Sequence, residues 1–160
     1  MNAFRVGVAL LISSLAACAG RSEFSSDVTK FVQAADGNFA SIQGPLKQTE
    51  RYSKMYASTV TMRGADFCDV SASSDLNAAG CGFSAKTEAD ARARFDALVN
   101  AVRQAEPGWQ SATLKAPPKD AMFGWRSGSD KLTAEVVLYR ESPTDYSIDL
   151  SFTIVPYSAD

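Results

Sequence analysis

The chain has 160 residues, of which 46% are hydrophobic and 21% charged, a composition that fits one globular domain and excludes a disordered chain. Sixteen Lys and Arg residues against 18 Asp and Glu residues give a net charge of −2, which excludes a broad basic surface for nucleic acid. The chain contains no histidine, which excludes Ser-His-Asp and Cys-His nucleophile pairs and histidine metal ligands. No internal repeat is present.

Residues 1–17 have the pattern of a secretory signal peptide. Arg5 precedes an apolar run from Val6 to Leu15, and small residues follow it. The run is too short to span a membrane, which takes about 20 apolar residues. A buried N-terminal helix is the alternative, but the polar segment 21–26 that follows favours an open linker.

The apolar run ends in Leu15-Ala16-Ala17-Cys18, which resembles the lipobox of bacterial lipoproteins. The resemblance covers the first 18 residues only and implies cleavage before Cys18, a diacylglyceryl group on its thiol and a third acyl chain on its amine. Each buried methylene contributes about 0.8 kcal/mol, so three chains would hold the protein in the bilayer. In lipoproteins of Gram-negative bacteria, an Asp directly after the lipidated cysteine favours the inner membrane. This chain has Ala19 there, so the resemblance implies the outer membrane, facing the periplasm. Ordinary secretion with cleavage after Ala19 is the alternative.

These features predict three parts: a lipoprotein signal peptide at 1–17, a tether at 18–26 and a single α+β domain at 27–160. Apolar residues at helical spacing between Val28 and Ile42 predict an N-terminal helix, with Ser26 or Asp27 as its N-cap. The segment 36–38 could equally form a turn.

Two cysteines remain if Cys18 is lipidated, and both fall in short segments that read as strands. Alternation and Thr and Val content predict a first strand at 56–62, and Cys68 and Cys81 lie in the next two. In an oxidising compartment an even number of cysteines favours a disulfide. A bridge across a hairpin would contribute about 3 kcal/mol in the chain-entropy model. Two buried free thiols or a redox pair are the alternatives.

The segment 87–106 carries the clearest helical pattern. Thr87 is a good N-cap, Asp90 follows three residues later, and Pro107-Gly108 ends the helix. The residues that form one apolar face are Ala91, Phe95, Leu98, Val99 and Val102.

Three apolar segments after the Pro117-Pro118 loop predict strands at 122–126, 132–139 and 146–154. The last two alternate cleanly between apolar and polar residues, which indicates one buried and one wetter sheet face. The expected fold is therefore an antiparallel sheet of five or six strands, with the long amphipathic helix 87–106 and an N-terminal helix packed on it.

Trp125, Val137 and Tyr139 are the candidate partner-binding residues. We expect them on the wetter sheet face, where aromatic side chains can anchor a protein or glycan partner. The alternative is that the N-terminal helix covers them, which would make them part of the core.

No motif for catalysis, phosphate binding or metal binding is found, so neither a cofactor nor a metal nor a catalytic residue is predicted. Asp66, Asp69 and Asp75 lack the spacing of a calcium loop and are interpreted as solvated charges. Asp145 and Asp149 are four residues apart on the last strand, without a sign of a cleft.

Three functional classes remain. The first is a non-catalytic binding or accessory lipoprotein, held in the bilayer through acylated Cys18 and partnered by another envelope protein. The second is a periplasmic immunity or inhibitor protein, which an acidic concave face would favour. The third is an enzyme without histidine, which a deep pocket with convergent polar groups would favour.

Overall fold

The computed structural model describes residues 23–114 and 120–154. The described part contains two α-helices, α1 (Ser25–Ala35) and α2 (Glu88–Ala105), and a 3-10 turn at Ala40–Ile42. Its strands are β1 (Gln43–Thr49), β2 (Ser53–Ser58), β3 (Phe67–Ser73), β4 (Asn77–Ala85), β5 (Gln110–Thr113), β6 (Ala121–Gly128), β7 (Leu132–Ser142) and β8 (Asp145–Ile154). The expected signal peptide and Cys18 lie outside the described residues.

All the strands form one antiparallel sheet in the order β1-β2-β3-β4-β8-β7-β6-β5. The order follows from two meanders, β1–β4 and β5–β8, each preceded by a helix. Helix α2 carries the chain from one to the other. The two meanders join where β4 pairs with β8, in the middle of the sheet.

The α+β class is confirmed, but the expected five or six strands are too few because the sheet has eight among the described residues. The two strands that were not predicted are the edges of the sheet. Nearly all of β1 and all of β5 are exposed or polar, so neither shows the alternation that marks a strand with one buried face. In addition, the strand expected at 56–62 begins three residues earlier and ends at Ser58.

Helix α1 begins at Ser25, so its first residues are those expected at the end of the tether. Its N-cap position is Phe24, not Ser26 or Asp27, and no side chain caps it. Phe24 is buried and contacts the Phe83 ring, with 6.0 Å between the centroids. The helix ends at Ala35 and a turn follows, so the turn alternative for 36–38 is correct.

Helix α2 confirms the prediction for 87–106 almost to the residue. The Thr87 hydroxyl accepts a hydrogen bond from the Asp90 backbone N–H at 3.1 Å, which satisfies one of the free donors of the first turn. The buried residues of the helix are Ala91, Leu98, Val99, Ala101 and Val102.

The expected disulfide is present between Cys68 and Cys81. The two residues lie directly opposite each other on β3 and β4, as in a bridged hairpin. Both are buried on the face of the sheet that packs against the helices.

The core lies between this face and the two helices. Phe31 of α1 stacks on Phe152 of β8 with 5.5 Å between the ring centroids. The alternating residues Val136 and Leu150 of the central strands point to the same side and are fully buried or nearly so. The opposite face is left without a helix among the described residues.

Candidate functional site

The sheet face opposite the helices, which we call the open face, is the candidate site. Strand alternation assigns to it the residues next to the core positions, such as Val137 beside Val136 and Asp149 beside Leu150. Other residues on this face are Met55, Phe67, Asp69, Ser71, Ala78, Gly80, Glu135, Tyr139 and Ser151.

A shallow groove of about 340 Å³ runs across the middle of the open face. Its floor is formed by the small residues Ala78 and Gly80 of β4. Met55 and Phe67 stand on one side of this floor, and larger residues of β7 stand on the other. The groove exists because β4 places no large side chain on this face.

Phe67 forms an exposed wall of the groove, with 53% of its surface accessible. Its ring lies over Gly82, the residue opposite it on β4. A Cβ atom at Gly82 would lie 2.3 Å from the Phe67 Cζ, so only glycine leaves room for the ring in this position. The absence of a side chain at this position of β4 thus leaves room for an exposed aromatic ring over the strand.

Two ion pairs lie on the open face, one on each side of the groove. The Lys47 ammonium lies 2.8 Å from Asp69 and 5.9 Å from the centre of the Phe67 ring. The Arg126 guanidinium donates to Glu135 with an Nε–Oε1 distance of 2.6 Å. Each cation is therefore already matched to one carboxylate.

Asp149 lies between these pairs, and its surroundings disfavour its charge. Partial withdrawal from water raises the pKa of its carboxyl, and repulsion from Glu141 raises it further. Burial also raises the pKa of the Tyr139 hydroxyl, with smaller contributions from Asp149, Glu135 and Glu141. Three carboxyl groups therefore act on the Tyr139 hydroxyl at this end of the groove.

Tyr139 and Val137 lie on the open-face side of β7, as its alternation predicts, but Val137 is only 5% exposed, so Tyr139 alone of the two presents an accessible side chain. The expected position of Trp125 on the same face is wrong. Trp125 lies opposite Val136 and is 4% exposed, and the Arg103 guanidinium of α2 lies 5.4 Å from its ring centre. The helices cover Trp125 and leave Tyr139 uncovered, so Trp125 belongs to the core.

Phe67, Met55 and Asp149 line the groove but were not among the predicted partner-binding residues. The signal for Phe67 is its place beside Cys68 in a strand with one buried face. Since Cys68 points to the core, its neighbour must point outwards.

The carboxylates near the disulfide have separate partners. Asp66 accepts a hydrogen bond from Ser84, Asp69 pairs with Lys47, and Asp75 accepts from Ser74. Across residues 23–114 and 120–154, no group of three or more Cys, Asp or Glu side chains is placed to hold a metal ion. Asp145 pairs with Lys86 at the start of β8, away from Asp149.

No protein-family model matches the chain, and no curated protein or solved structure matches it significantly. Neither of the two described helices is long and apolar enough to cross a membrane.

Proposed function

We propose that this chain is a lipid-anchored protein of the bacterial cell envelope whose domain holds another protein against the open face of its sheet. The observation that carries the proposal is the groove, where the exposed Phe67 ring and the partly exposed Tyr139 ring flank a floor of small residues. Aromatic side chains exposed on an uncovered sheet face are typical of protein interfaces, where aromatic residues are enriched.

The lipobox-like segment Leu15–Cys18 supports the anchor, and Ala19 supports the outer membrane facing the periplasm. Mass spectrometry of the protein purified from membranes tests this part. We expect a mature N-terminus at Cys18 that carries acyl chains. A wild-type protein that begins after Ala19 and carries no lipid would contradict the anchor.

We propose that the domain works by contact, without catalysis. Catalysis at neutral pH generally needs a tuned acid or base, and the chain has no histidine to supply one. The groove is also shallow and open, whereas small-molecule sites usually enclose most of their ligand.

An inhibitor or immunity protein is the second candidate, and the charge of the groove favours it. Asp149 lines the groove, Glu141 is near enough to repel it, and neither has a matched cation among the described side chains. An acidic groove suits the neutralisation of a basic site on a secreted enzyme or toxin. This candidate shares the open face with the first and differs only in what the partner does.

Site-specific photo-crosslinking in living cells tests the use of the open face. A photoreactive phenylalanine replaces Phe67 in one strain and Asn100, an exposed residue of α2 on the other side of the domain, in the control strain. We expect one discrete cross-linked product from position 67 and none from position 100. Ser151→Tyr, which fills the groove, should abolish that product, and Asn100→Tyr should not.

A product that forms from position 100 alone would contradict the proposal. A product from position 67 that survives Ser151→Tyr would also contradict it, because the groove would then not be the contact. Both tyrosine variants must keep the wild-type melting temperature for this comparison.

A further inference from the structure

The charges of the open face do not balance within the described part of the chain. Lys47 is matched to Asp69 and Arg126 to Glu135. Neither Asp149 nor Glu141 forms an ion pair with a described Lys or Arg, and Glu141 accepts only the Ser147 hydroxyl at 2.6 Å. Two carboxylates beside the Tyr139 ring are thus left without a counter-charge.

The nearest basic residue along the strand does not supply the missing charge. Arg140 is the neighbour of both Tyr139 and Glu141, but alternation sends its side chain to the other face. There its guanidinium lies 5.8 Å from the centre of the Tyr146 ring.

Asp149 is exposed and has no ion pair with a described side chain, and its raised pKa has the direction expected of a carboxyl whose charge does not help folding. An asparagine would have nearly the same shape without the repulsion from Glu141. Residues that lower stability in this way are typical of binding sites, where the cost is offset when a ligand arrives.

The chemistry of the groove restricts what can occupy it. Nucleic acid and acidic surfaces would be repelled by Asp149 and Glu141. A second copy packed face to face would bring no unmatched cation to these carboxylates, because Lys47 and Arg126 of the same face are already paired. Lysine and arginine combine an apolar stem with a cationic head, which suits apolar walls that end in carboxylates.

We propose that the groove receives an arginine or lysine side chain of the partner protein, whose stem lies on the floor of small residues and whose charged head lies between Tyr139, Asp149 and Glu141. This inference rests on the proposed function, since it names the chemistry of the partner held on the open face. The Tyr139 ring would add a cation–π contact to the head group. The partner is thus a protein that displays a basic side chain flanked by apolar ones.

Nuclear magnetic resonance titration of the purified domain with N-acetylarginine amide tests the proposal. N-acetylcitrulline amide is the matched probe, because citrulline replaces the guanidinium by a neutral group of the same shape. We expect arginine to shift the backbone amide signals of Tyr139, Ser147 and Ser151. Citrulline should bind about two- to fivefold more weakly, the usual range for an exposed charge pair.

Asp149→Asn should remove the preference for arginine, and Asp96→Asn on the exposed face of α2 should leave it unchanged. The affinity for arginine should also decrease as the pH is lowered, because Asp149 then takes up a proton and loses its charge. Equal affinity for the two probes, or a preference that survives Asp149→Asn, would overturn the proposal.

Lys115 and Lys119 lie outside the described residues and follow Leu114, whose side chain packs on Gly124 of the open face. If arginine binds the Lys115→Gln/Lys119→Gln variant but not the wild type, the protein's own lysines occupy the groove and the proposal is overturned.

The two proposals fail separately. If the cross-link from position 67 forms in the Asp149→Asn strain as strongly as in the wild type, the groove holds a partner but not through a basic side chain. If arginine binds as expected but no cross-link forms from position 67, the groove binds a cation and the proposed function is wrong.

Discussion

Trp125 and Tyr139 lie on neighbouring strands, and their side chains point to opposite faces of the sheet. Trp125 is opposite Val136 in the β6–β7 register, whereas Tyr139 is opposite Ala121. One ring is enclosed by α2, and the other borders the groove. The two residues should therefore respond differently to truncation.

Trp125→Ala should lower the free energy of unfolding by about 3–5 kcal/mol, the usual cost of removing a large aromatic side chain from a core. Tyr139→Ala should lower it by about 1 kcal/mol or less, because its ring is partly exposed. Urea denaturation followed by circular dichroism measures both. Equal losses would contradict the assignment of the rings to different faces.

Removal of the disulfide should destabilise the domain without changing its fold. The Cys68→Ala/Cys81→Ala variant should lose about 2–4 kcal/mol of unfolding free energy, because the unfolded chain is no longer closed into a loop. A reducing agent should lower the stability of the wild type similarly and leave the variant unchanged. A reducing agent that also destabilises the variant would mean that the bridge is not the source of the loss.

Asp149→Asn should stabilise the domain at neutral pH. Folding raises the pKa of Asp149, so the folded state is favoured when this carboxyl is protonated. That contribution is complete below the unfolded pKa of about 4 and is lost as the pH rises through the folded pKa. Asparagine is neutral throughout. We expect the melting temperature to rise by about 1–3 °C at pH 7 and to stay unchanged at pH 3.

Asp96→Asn is the control for this experiment, since Asp96 lies on the exposed face of α2. A similar gain at pH 7 in the control would point to the overall charge of the protein rather than to the groove. A loss of stability in Asp149→Asn would contradict the repulsion inferred between Asp149 and Glu141.

Thr87→Ala should lower the free energy of unfolding by about 1 kcal/mol, because the Asp90 N–H at the start of α2 loses its acceptor. Thr87→Ser retains a hydroxyl and should lose much less. Chemical denaturation of both variants separates the cap from other roles of the position, and equal losses would show that the hydroxyl is not what matters.

The elements that the sequence predicts best are those whose residues carry their own signal. Thr87 caps α2, the alternation of β7 and β8 follows their burial, and Cys68 and Cys81 bridge adjacent strands. Each of these features depends on a short stretch of sequence or on one specific contact. The cap and the disulfide are single side-chain interactions, and the alternation reflects one buried face.

The sequence does not predict which face of a strand is buried when the pairing with a neighbouring strand determines it. β6 is apolar at Met122, Phe123 and Trp125, so its sequence alone does not say which side faces the core. A bulge between Ala121 and Phe123 then shifts the phase, and pairing with β7 fixes Trp125 on the inner face. The groove was missed for a related reason, since small residues such as Gly80 give no sequence signal for the space they leave.

The pairing of β4 with β8 has a consequence for how the protein is made. It joins Gly80 to Ser151, far apart along the chain, and the two sides of the groove come from either side of this junction: Phe67 from the first meander and Tyr139 from the second. Before β8 pairs with β4, the chain therefore has only one of the two walls of the groove in place. If the open face binds a partner as proposed, binding requires the complete sheet, because neither meander alone supplies both walls of the groove.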